Sequence, residues 1–126
     1  MRAGSHNFIC EQGSTFKRTV EIEQPDLETD PTGNTFIPFD LTGFTARMQV
    51  RRTIDSANFL LELTTENGCL EINPGEETNK IAINVPDEVT ASITTSGIYD
   101  LEIENDLGEV SRVLQGAFTV IPEVTR

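Results

Sequence analysis

Hydrophobic and polar residues alternate along this chain in short runs, and the clearest run follows a tight turn at Leu41-Thr42-Gly43. Phe44, Ala46, Met48 and Val50 take one phase, and Thr45, Arg47, Gln49 and Arg51 take the other. A period of two marks a strand with one buried and one wet face. Comparable runs recur down the chain, punctuated by Gly, Pro, Asn and Asp about every eight to fifteen residues.

Phe8-Ile9-Cys10-Glu11 predicts a first strand, stopped by Gly13. Phe16, Arg18, Val20 and Ile22 share the inward phase of a second, which leaves one arginine inside the pattern. Residues 24–34 carry Pro25, Pro31 and Gly33 among acidic side chains, a solvated hairpin-type loop. Pro38 confines residues 36–40 to an edge, because proline cannot donate to a central ladder. Residues 59–63 read as the next strand, with Asn67-Gly68 as a hairpin turn returning the chain through residues 69–72. Ile81, Ile83 and Val85 give another inward face, and Tyr99, Leu101 and Ile103 one more. Residues 86–93 are the only helical candidate, with a proline and two acids in the first turn; at about two turns they read as a connector. Asn105-Asp106-Leu107-Gly108 turns the chain into a long last strand over residues 109–121, expected to bulge at Gly116.

About seven to nine short antiparallel strands with no repeat predict an all-β fold. The favoured form is a two-sheet antiparallel sandwich with Greek-key, immunoglobulin-like topology, and a small β-barrel is the alternative. The expected organisation is one domain over residues 8–122, with an N-terminal tail over 1–7 and a C-terminal tail over 123–126.

Charge narrows the partners. Nine basic residues against 21 acidic ones give a formal net charge of -12. That balance argues against binding nucleic acid through phosphates, which needs a basic face. A charged partner surface is expected to be basic. No run of 18 apolar residues is present, so no membrane-spanning segment is predicted. The first seven residues lack the apolar stretch of a secretory signal. Cys10 and Cys69 fall in different predicted strands and could pair if those strands face each other, which spacing does not decide; the favoured reading is two small thiols, buried or half-buried, in a reducing cytoplasm.

Candidate chemistry is sparse. His6 is the single histidine and sits in a polar stretch. No cysteine–histidine set has zinc spacing. Asp26, Glu28 and Asp30 imitate the opening of a calcium loop, but the glycine comes late at Gly33 and Ile37 stands where the closing glutamate belongs. There is no phosphate-cradling glycine loop and no serine elbow. The carboxylate pairs Glu76-Glu77 and Glu102/Glu104 fall on a turn and on an outward strand face, where acid–base work would need an apolar pocket. The expectation is a protein that is not an enzyme, with no cofactor and no metal. Two arginines at inward-phased positions, Arg18 and Arg112, are expected to reach the sheet rim or to mark a phase slip at a bulge. Arg47, Arg51 and Arg52 form a small outward basic stripe suited to docking on acidic neighbours. The candidate contact residues are Arg2 and His6 before the first strand, Asp26, Glu28 and Asp30 in the loop, Arg47 and Arg51 on the strand, and Val124 and Arg126 at the end.

Glu11-Gln12-Gly13-Ser14-Thr15-Phe16, preceded by Phe8-Ile9, resembles the opening of a group of small tailed-bacteriophage proteins. The stretch from Asp40 to Arg51 is similar to that group's "DLTGYTARMQIR" strand, and Leu60 to Gly68 to its "LLELTTENG" hairpin. Tyr99 to Ile103, Gly108 to Gly116 and Val120 to Arg126 resemble its closing pattern, so the likeness runs in order over nearly the whole chain. More loosely, the layout is similar to the N-terminal domain of phage upper baseplate proteins. One departure is the long loop of residues 24–34 with its extension through Pro38, where a shorter hairpin is expected.

The resemblance implies an immunoglobulin-like β-sandwich that serves as a virion structural part, assembled in the bacterial host cytoplasm, with no catalytic residues. The implied role is a tail, baseplate or fibre-attachment component, with capsid decoration as the alternative. Implied partners are other virion proteins (portal or tail, fibre, or major capsid protein), in a homo-oligomer or many copies per particle. A stand-alone ligand-binding sandwich is the third reading. The absence of Trp and the single Tyr count against sugar binding.

Overall fold

The computed structural model describes residues 3–125. Eleven strands and one short helix follow in order: β1 (Gly4–Ser5), β2 (Phe8–Glu11), β3 (Phe16–Glu21), β4 (Glu23–Pro25), β5 (Phe36–Pro38), β6 (Thr45–Arg51), β7 (Leu61–Thr64), β8 (Leu70–Ile72), β9 (Lys80–Val85), α1 (Asp87–Thr90), β10 (Gly97–Glu104) and β11 (Val110–Ile121). One sheet has the order β1-β11-β10-β6-β7, with β2 also on β11; a second has the order β3-β9-β8; β4 and β5 form a two-stranded hairpin of their own. Strand pairing never joins the two main sheets among the described residues, so the barrel alternative gives way to a sandwich. The interlocked order β3-β9-β8 against β11-β10-β6-β7 is the immunoglobulin-type Greek key.

Inward phases become the core. Ala46, Met48 and Val50 on β6, Tyr99, Leu101 and Ile103 on β10, and Ile81, Ile83 and Val85 on β9 are all buried. An aromatic chain fastens the two sheets: Phe8 lies 5.0 Å from Tyr99 and 5.6 Å from Phe16, and Phe16 lies 5.5 Å from Phe118. Such tilted and edge-on pairs add to the burial of their area.

Four expectations are corrected. The Asn67-Gly68 turn does not make a hairpin: β7 pairs with β6, whereas β8 pairs with β9 in the other sheet. Asn67 builds this crossover. Its side-chain oxygen accepts from the Thr64 and Cys69 amides at 3.0 Å each, and its amide donates to the Glu62 carbonyl at 3.0 Å. Gly68 supplies the positive φ of 84° that the turn requires.

The bulge in β11 lies at Val113, not Gly116. Leu114 pairs with Leu101 and Arg112 with Glu102, leaving Val113 as the extra residue. The bulge turns Val113 inward and Arg112 outward, which accounts for the apparent inward phase of that arginine. Gly116 has a different task, because a Cβ there would collide with the His6 carbonyl.

The stretch expected to be an N-terminal tail is laid along β11 as far back as Gly4. β1 and β2 pair with β11 in parallel, in one continuous register from Gly4↔Leu114 to Glu11↔Ile121. These two short parallel pairings also depart from the all-antiparallel expectation. Arg18 meets its expectation: from an inward-phased position opposite Ile83 it reaches the sheet rim, where its guanidinium stacks over the Phe16 ring and donates to the Ile9 carbonyl at 3.1 Å, capping the open side of the sandwich.

The motif Glu11-Gln12-Gly13-Ser14 carries the chain from one sheet to the other, and α1 clamps it. Thr90, fully buried, accepts from the Gly13 amide at 3.1 Å and donates to the Ser14 carbonyl at 2.8 Å. Gln12 donates to the Ala91 carbonyl at 3.0 Å and accepts from the Glu123 amide at 2.9 Å, tying in the segment that follows β11 as well.

Candidate interaction surfaces

The outer face of the large sheet collects the polar phase of four strands. Arg47 on β6 donates to Glu102 on β10 at 3.0 Å and lies 3.5 Å from Glu104. The Glu102 carboxylate holds the Arg47 guanidinium still more firmly protonated than usual. Arg112 on β11 pairs with Asp100 at 3.3 Å. Gln49 donates to Glu62 on β7 at 2.6 Å, and Arg51 donates to Gln49 at 2.8 Å and to the Ser56 carbonyl at 3.1 Å. Sequence phase places Arg47 and Arg51 outward, as found. It does not show that both are already engaged within the chain, so they are members of a mixed-sign network rather than a bare basic stripe. Partly exposed pairs of this kind are each worth about 0.2–1 kcal/mol.

The acidic loop holds itself. Asp26 accepts from the Thr29 amide at 3.4 Å and hydroxyl at 2.5 Å. Asp30 accepts from the Thr32 hydroxyl and amide and from the Thr35 hydroxyl, and these bonds hold its carboxyl below the ordinary range. The two aspartates are turn-makers, and Glu28 is exposed beside them. No group of three or more metal-ligating side chains assembles among the described residues. The hairpin that carries the loop shows a feature the alternation does not reveal: Leu27, Phe36 and Ile37 are 61%, 55% and 38% exposed. Exposed apolar side chains on a two-stranded arm that, among the described residues, no other strand pairs with stand apart from the polar surface around them.

His6 is exposed, its ring edge-on to Phe8 at 4.7 Å, and its carbonyl accepts from the Tyr99 hydroxyl at 2.6 Å. Val124 is 91% exposed just beyond Glu123, whose carboxylate lies against Gly13. Arg2 and Arg126, the remaining candidate contacts, lie outside the described residues. The structure therefore gathers Arg47 and Arg51 on one face and the three loop acids on the arm; His6 and Val124 stand apart from both. Cys10 is buried and Cys69 half-buried, both are free thiols, and burial pushes both thiols above their ordinary pKa. The carboxylate pairs are matched by cations: Glu102 and Glu104 face Arg47, and Glu77 faces Lys80 at 3.5 Å.

No family model matches the chain, and no curated protein matches it. Among solved structures it is similar to extracellular domains 3–5 of Drosophila OTK, at 15% identity and a TM-score of 0.36, over 91% of this chain and 33% of that one. It is also similar to titin domains Z1Z2 solved in complex with telethonin, at 16% identity and a TM-score of 0.36, over 93% of this chain and 45% of that one. The chain spans less than half the length of either.

Proposed function

We propose that this protein is a non-enzymatic structural part of a tailed-bacteriophage virion that works by binding neighbouring subunits, at the tail, baseplate or fibre attachment. The virion setting is supported by the ordered sequence resemblance. The binding role is supported by one observation above all, the β4–β5 arm. A hairpin outside both main sheets, with Leu27, Phe36 and Ile37 exposed along it, adds nothing to the core and offers apolar side chains to another protein. The loop that distinguishes the chain from the group it resembles is then the contact that addresses it to its own particle.

The test is a phage carrying Leu27→Ser, Phe36→Ser and Ile37→Ser together. The variant is expected to melt as the parent does, since these side chains are exposed, yet to be depleted from purified particles. Labelling of the parent protein is expected on tails. Labelling on heads would replace that role with capsid decoration. Absence of the parent protein from particles, or undiminished incorporation of the variant, overturns the proposal.

A further inference from the structure

Along the outer face of the large sheet the charges run in stripes that alternate strand by strand. β11 carries Arg112, β10 carries Asp100, Glu102 and Glu104, β6 carries Arg47 and Arg51, and β7 carries Glu62. The signs are therefore plus, minus, plus, minus. Such a sequence of stripes inverts when reflected about the line between β10 and β6. Most of this -12 chain repels a second copy of itself, but here three guanidiniums stand among four carboxylates and the face is close to neutral. Ile98, 42% exposed on β10, and Ile54, 83% exposed beyond β6, give one end of the face an apolar margin.

We infer that the outer face of the large sheet is a self-association surface, on which a second copy of this chain docks about a two-fold axis parallel to the strands between β10 and β6. That operation lays β10 over the second copy's β6, and β11 over its β7. Every acidic stripe then meets a basic or amide-bearing one. Glu102 faces Arg47 of the second copy, and Gln115 faces Glu62 of the second copy, because the register keeps each of these pairs in one row. An isologous contact repeats each pairing twice. The other in-plane axis, perpendicular to the strands, sets β10 on β10 and carboxylates on carboxylates, which is repulsive. Four strands about 4.8 Å apart make a small footprint, so the pairing is weak and reversible. The inference names one partner of the subunit-binding role proposed above and rests on that reading for its setting.

The purified full chain is tested by sedimentation across concentration, at low and high salt. A monomer–dimer equilibrium that weakens with salt is expected. Gln115→Lys places an ammonium opposite Glu62 of the second copy and tightens the dimer, while Gln115→Glu loosens it, each by roughly fivefold. Both changes fall at an exposed position, so the fold is kept. Thr19→Lys and Thr19→Glu, exposed on β3 in the other sheet, change the net charge equally and are expected to shift the equilibrium by less than about twofold. A chain that stays monomeric throughout overturns the inference, as do Gln115 variants that shift together or Thr19 variants that match them. Particle incorporation scores the other reading separately: a monomer found in particles sinks only the dimer, and a dimer absent from particles sinks only the virion role.

Discussion

Tyr99 donates its buried hydroxyl to the backbone carbonyl of His6 at 2.6 Å, across a sequence separation of 93. The bond fastens the interruption between β1 and β2 to β10, where Gly116 lets the His6 carbonyl come close. It holds the first strand segment against the sheet at the one place where Asn7 supplies a side-chain acceptor to the Ala117 amide, at 3.0 Å.

Burial pushes the Tyr99 phenol above its ordinary value. The unfolded chain releases that proton near pH 10, whereas the folded chain retains it, so stability is full below that point and falls as pH rises beyond it. Tyr99→Phe is expected to lower stability at neutral pH by about 0.5–1.5 kcal/mol and to flatten the alkaline loss. Thermal melts across that range check both parts, and parallel alkaline losses in the two proteins would contradict the assignment. Because the chain has one tyrosine, its ionisation can be followed directly by absorbance.

Thr90 joins α1 to the turn between the sheets. Thr90→Val keeps the shape but leaves the Gly13 amide and Ser14 carbonyl without their partner. An unsatisfied buried group costs about 1–3 kcal/mol. Urea denaturation should show a loss of that size, with Thr90→Ser recovering most of it; a Val variant as stable as the parent would mean water replaces the hydroxyl freely.

Arg47→Glu puts a third carboxylate beside Glu102 and Glu104. The fold should survive with a loss of about 0.2–1 kcal/mol per pair broken. Combining Arg47→Glu with Glu102→Arg should recover part of it by rebuilding the pair in reverse. A double-mutant cycle measures the coupling; strictly additive effects would show that the pair contributes nothing.

The strand phases at residues 44–51, 81–85 and 99–103 were legible because a pleated strand buries every second residue whatever its neighbours are. The out-of-phase Arg112 pointed to a slip, but the extra residue could not be placed at Val113, since one inserted residue shifts phase without changing composition. Asn67-Gly68 was readable as a turn but not as a crossover, because its sheet assignment rests on β8 finding β9. Arg47 could be placed outward from its phase. Its engagement with Glu102 could not, because those residues meet only when β6 and β10 align. The exposure of the β4–β5 arm was not legible for a related reason: Phe36 and Ile37 read as part of an edge segment, and only the fold leaves their side chains outside the core.

The sequence by itself determined that this chain is all-β, which positions face inward, and where it turns, because pleat periodicity and turn chemistry act over a few residues. Tertiary structure alone decided which sheet each strand joins, that the stretch before Phe8 lies along β11, and that the outward charges line up in alternating stripes. Those outcomes depend on register between segments far apart in the chain, which local pattern does not encode.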